Sequence, residues 1–163
     1  MIPKRNQCIG VNYQIQSPEK QLPNYQNMNQ QQENQDELIQ KLNTIAQKFK
    51  EDIIEFSYFF NDQWIEQNVE KVQITQNFEM LTFHIRGSDP FGAWIQVGVI
   101  TINKIQSQVE TFSRKIYDDS FLQGGDILIY HGSFNEENQQ FEGAWQYQQD
   151  QSRGDWKIRF KEQ

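Results

Sequence analysis

The chain reads as a mainly β protein, an antiparallel up-and-down meander of about eight strands, arranged as a sandwich or as a closed barrel. One N-terminal amphipathic helix and an extended arm precede it. Three observations predict this. From Glu55 onward, apolar residues recur at every second position, the period of a strand with one buried face. Turn residues punctuate that stretch at intervals of roughly 10 to 15 residues, with no helical segment between them. Large rings dominate the apolar content, with 12 Phe, 6 Tyr and 4 Trp in 163 residues.

The elements follow in order. Residues 1–35 form a Gln/Asn-rich arm holding three of the four prolines and only scattered apolar residues, too few to offset their own ordering entropy. Tyr13, Ile15 and Tyr25 are its spaced anchors for a partner. The folded domain is then 36–163. Asp36 serves as an N-cap, and Leu38, Ile39, Leu42, Ile45, Ala46, Phe49 and Ile53 make one helical stripe that packs on the domain behind it. Strands follow at Phe56–Phe60, Trp64, Val72–Ile74 and Leu81–Arg86. A turn is expected at Gly87–Pro90. Further strands run through Phe91–Thr101, Val109–Tyr117 and Ile127–Tyr130, the last ended by His131–Gly132. Phe141–Tyr147 and Trp156–Phe160 complete the set. Gly143, near Trp145 and Trp156, suits a tight bend or room for a ring. Closure removes the unpaired edges that a flat sheet exposes.

Composition narrows the function. A net charge of −7 disfavours general binding to a phosphate backbone, whose affinity rests on Lys and Arg. The cations are scattered, with Lys157 and Arg159 on one strand face and Arg114–Lys115 as potential neighbours. A single cysteine, Cys8, excludes an internal disulfide framework and a cysteine-cluster zinc site. No apolar run approaches the roughly 18 residues that cross a bilayer, and no apolar segment follows the basic N-terminus as in a secretory signal. The expected setting is the cytoplasm or cytoskeleton, with a mitochondrial address as the second reading.

The run Ile85-Arg-Gly-Ser-Asp-Pro-Phe-Gly-Ala-Trp-Ile-Gln-Val-Gly-Val-Ile100 begins a recurring pattern. It continues through Val109-Glu-Thr-Phe-Ser-Arg-Lys-Ile-Tyr117, Ile127-Leu-Ile-Tyr-His-Gly132 and Phe141-Glu-Gly-Ala-Trp145, and closes at Gly154-Asp-Trp-Lys-Ile158. This resembles the calycin-like (lipocalin and avidin type) β-meander modules of ciliate proteins, over roughly residues 55–160. Gln and Asn, roughly a quarter of the chain, fit that resemblance. It implies a barrel, and a ciliary axoneme as context; it implies no catalytic residue. The sequence departs at Phe56-Ser-Tyr-Phe-Phe60, which lacks a glycine before the first ring, and at a shortened Asp89-Pro90 turn.

Catalytic chemistry finds little support. His84 and His131 have no neighbour at metal-ligand spacing, no serine sits in a nucleophile elbow, and the glycine turns lack the lysine of a phosphate loop. Asp118 and Asp119 are adjacent and solvated, and Asp89, Asp126 and Glu142 could share a barrel rim without forming an acid–base pair. Phe83, Trp94 or Ile95, Tyr130, Trp145 and Trp156 line the barrel interior, where they either hold an apolar ligand or pack on one another; packing is favoured. The expectation is therefore a non-enzymatic structural or adaptor subunit of a larger protein assembly, with no cofactor and no membrane partner. Two alternatives remain: a carrier of a small apolar ligand, and an OB-type interaction subunit of a telomeric or telomerase complex.

Overall fold

The computed structural model describes residues 25–118, 127–148 and 152–161, with side chains from residue 33 onward. Helix α1 (Tyr25–Glu51) leads into eight strands: β1 (Ile53–Phe60), β2 (Gln63–Asn77), β3 (Met80–Asp89), β4 (Gly92–Asn103), β5 (Gln108–Tyr117), β6 (Ile127–Asn135), β7 (Gln140–Tyr147) and β8 (Arg153–Lys161). Each pairs antiparallel with the next, and β1 closes on β8 to complete the barrel. The expected mainly β meander and its closure are both present.

The helix begins at Tyr25 rather than at Asp36. The intervening segment is rich in Gln, with Met and Glu, which are good helix formers, and neither Gly nor Pro interrupts it. Tyr25 is therefore the first residue of α1, while Tyr13 and Ile15 lie outside the described residues. The apolar stripe does what the periodicity implies except at Ile53, which opens β1 beyond the helix end and is exposed. Leu38, Leu42, Ile45, Ala46 and Phe49 are buried and plug one end of the barrel. Phe49 stacks at 6.1 Å on Phe83 and meets Phe160 edge-on at 4.9 Å.

Two strand readings change. Trp64 and Val72–Ile74 belong to one long strand, because a bulge between Val69 and Lys71 switches which parity faces inward. The glycines read as strand ends at Gly87 and Gly132 lie inside β3 and β6. Their role is to seat indoles. Gly87 is in register with Trp94, Gly154 with Trp145, and Gly143 with Trp156, so each inward Trp has a glycine directly across the ladder. A Cβ at Gly87 would come within 2.5 Å of the Trp94 ring, and one at Gly154 within 2.7 Å of Trp145 Nε1. Two of the indoles also close a hydrogen bond across their glycine: Trp145 Nε1 donates to the Phe59 carbonyl and Trp156 Nε1 to the His131 carbonyl, each at 3.1 Å.

Candidate functional site

Two regions depart from the pattern expected of a barrel with an apolar interior and a polar exterior. The first is inside, at the end opposite α1. Asp89 ends β3 and Lys115 lies on β5 with the inward parity of Val109, Thr111, Ser113 and Tyr117. Lys115 is thus not part of an exterior basic patch. Its side chain and that of Asp89 are both 0% exposed and pair at 2.7 Å. The ammonium also donates to Gln67 Oε1 at 2.6 Å and to the Tyr117 hydroxyl at 2.9 Å, so its three N–H groups are all used. Tyr117 in turn donates to Asp89 Oδ2 at 2.6 Å. The rings of Tyr58, Trp94 and Tyr117 stand 4.6–4.9 Å from the ammonium and add cation–π attraction.

This cluster has a defined pH signature. Burial pushes Lys115 down to about 8 from 10.5, against the opposing pull of Asp89. Burial likewise raises Tyr58 to about 12 and lifts Tyr117 and Tyr130 well above the ordinary tyrosine value of 10.0. Between pH 8 and 10.5 the unfolded chain binds the more protons at Lys115, so stability rises with pH across that window. Above pH 10 the unfolded tyrosines ionise and the folded ones do not, so stability falls. Urea unfolding from pH 7 to 11 should therefore give a maximum near pH 10. A curve that falls steadily from pH 8 would contradict it.

The interior site residues Phe83, Tyr130, Trp145 and Trp156 are all buried and inward, together with Trp94. Ile95 faces out. Tyr130 packs edge-on against Phe56 and Trp156, each at 5.7 Å, and Tyr58 against Trp145 at 5.9 Å. The rings fill the interior by packing on one another. Gln67 Nε2, Gln96 Oε1, Trp94 Nε1 and the Tyr130 hydroxyl have no hydrogen-bond partner among the described residues, so this layer is polar as well as aromatic.

The second region is outside, on β4, β5 and β6. Their inward positions include Gln96, Thr111, Ser113 and Lys115 beside the apolar Trp94, Ile100, Val109, Leu128 and Tyr130, while their outward positions carry Ile95, Val97, Val99, Phe112, Ile116, Ile127 and Ile129. The register makes these contiguous: Ile95 opposes Ile116 and Ile116 opposes Ile127, while Val99 opposes Phe112. Val97 is 55% exposed and Phe112 43%. Arg114 sits between Val97 and Ile129, with Phe112 and Ile116 before and after it on its own strand. Arg86 and His84 border the face on β3, and His131 on β6.

The remaining candidates separate. Lys157 and Arg159 lie outward on β8, across the barrel from Arg114. Lys157 stands 4.0 Å over the half-exposed Trp64 ring. Together with Arg159, these two border a surface groove of about 590 Å³ in which Glu142 and Asp155 balance the cations. Glu142 is on the outer face of β7, held by Asn135 and Gln140, and is not at a rim with Asp89. Asp126 and Asp119 lie outside the described residues. Among the described residues no group of three His, Cys, Asp or Glu could hold a metal ion, and no helix is long and apolar enough to cross a membrane. Comparison with known proteins finds no matching family model, no matching characterised protein and no matching solved structure.

Proposed function

We propose that the protein is a non-enzymatic adaptor subunit that docks another protein on the outer face of β4–β6. The observation that carries this is the apolar outer face shared by those strands, together with the inverted patterning of β5, whose Thr111, Ser113 and Lys115 face the interior while Phe112 and Ile116 face solvent. β-Branched residues suit any strand, which accounts for a scattered Val or Ile on an outer face. It does not account for seven apolar positions, one of them a Phe, grouped over three strands around the single charged side chain of Arg114. Such a face is worth keeping only if something covers it.

The calycin-like resemblance supports the barrel part of this reading, and a ciliary axoneme as the assembly rests on that resemblance alone. The arm with Tyr13 and Ile15 is a second docking element in the same proposal. A carrier of an apolar ligand is less well supported, because the layer such a ligand would enter holds packed rings and a paired Lys–Asp. An OB-type interaction subunit of a telomeric or telomerase complex is less well supported, because the barrel has eight strands in sequence order rather than the five of a Greek-key OB-fold.

The test is capture from native extract by the tagged full-length chain, set beside Phe112→Glu. Phe112 is exposed, so the variant should keep the wild-type melting temperature while losing specific partners at least tenfold. Identical partner profiles from the two chains would sink the reading.

A further inference from the structure

We infer that the partner presents an apolar surface with an Asp or Glu at its centre, placed to pair with Arg114. This rests on the docking reading above and extends it to the chemistry of the partner. Arg114 is exposed and is encircled by the apolar side chains of Val97, Ile129, Phe112 and Ile116. Among the described residues no carboxylate lies within ion-pair distance of it, or of Arg86 at the border. Any partner that covers this ring strips water from the guanidinium. A desolvated, unpaired cation is prohibitively costly, whereas one met by a carboxylate in a bidentate fork becomes an interface anchor.

The same geometry argues against a second copy of this chain. A twofold contact centred on the patch would bring two Arg114 guanidinium groups together with no carboxylate between them. The occupant is therefore a different protein whose charge complements the ring.

The experiment uses the full chain with three substitutions and a carbodiimide, which joins amines to carboxylates without a spacer. Wild type and Arg114→Lys should capture the same partner, while Arg114→Glu and Arg114→Leu should lose it at least tenfold at unchanged melting temperature. In the Arg114→Lys complex, mass spectrometry should map a carbodiimide link from position 114 to an Asp or Glu of the other protein, absent in wild type. If Phe112→Glu abolishes capture but Arg114→Glu does not, the docking face stands and the central carboxylate is overturned. A link from position 114 to a second copy, with concentration-dependent dimers in sedimentation, overturns the inference in favour of self-association. If neither Phe112→Glu nor Arg114→Glu changes capture, the docking reading itself has failed.

Discussion

Lys115→Met should cost about 3–5 kcal/mol of folding stability, the range expected when one partner of a buried ion pair is removed and the other is left behind. Both side chains of the pair are fully buried, so the Asp89 carboxylate would keep the Tyr117 hydroxyl and lose the one cation paired with it among the described residues. In a domain whose total stability is on the order of 5–15 kcal/mol, that is a large fraction. Urea titration at pH 7 measures it, and the double variant Lys115→Met/Asp89→Asn supplies the control. Removing both charges should recover most of the loss, because an apolar or neutral replacement of a buried pair is close to neutral. A loss below about 1 kcal/mol for the single variant would mean that the pair is solvated and not part of the core. The pH optimum near 10 should disappear along with the lysine.

The pair is no bargain as a stabiliser, which raises the question of what it does. It joins the end of β3, through Asp89, to β5 through Lys115 and Tyr117 and to β2 through Gln67. An apolar cluster would accept a strand shifted by two residues; a fixed set of three donor–acceptor matches would not. The outer face depends on the same register, because Arg114 and Lys115 are adjacent on β5 and point to opposite sides.

That adjacency marks the limit of what the sequence disclosed. Alternation alone was enough for the meander, since Leu81-x-Phe83-x-Ile85 and Trp156-x-Ile158-x-Phe160 each show one apolar face, but it suits a sandwich as well as a closed barrel. It was also enough, in principle, for β5. Val109, Thr111, Ser113, Lys115 and Tyr117 share a parity, and Phe112, Arg114 and Ile116 share the other. Hydropathy favours the wrong assignment, because a lysine and a serine are expected outside and a phenylalanine inside. Neighbouring β4 offers no correction, being free of polar side chains on both faces from Trp94 to Val99 except at the inward Gln96. Only the ladder decides it: Ser113 is opposite the inward Tyr130. In β2 the bulge broke the parity midway and split one strand into two readings. The helix start was missed for a different reason, as a polar Gln-rich segment has no apolar period to mark it.

Gly87 and Gly132 read from the sequence as turn or strand-end glycines and lie inside strands, whereas Gly143 reads as a tight bend or as room for a ring, and Gly143→Ala tests the second of those readings. Gly143 faces Gly132 across β6 and β7. A Cβ built on Gly143 would lie 2.1 Å from the His131 carbonyl oxygen and 2.5 Å from the Gly132 Cα. Both are backbone atoms in a hydrogen-bonded ladder, so no rotamer change relieves the contact; the strands must separate. The Trp156 indole lies against this pair and donates to the same His131 carbonyl, so separation would also break that bond. The expected cost is at or above the upper end of the about 1–3 kcal/mol typical of overpacking. Thermal unfolding followed by near-ultraviolet circular dichroism reports both the loss of stability and the freed indole. Ala144→Ser, one residue on and exposed on the outer face, should change stability by less than about 0.5 kcal/mol. A turn glycine away from the ladder would tolerate alanine whenever its φ is negative, so a mild effect at Gly143 would return it to that role. A severe one would place the paired glycines among the determinants of strand spacing in β6, the strand that carries Ile127 and Ile129 of the docking face.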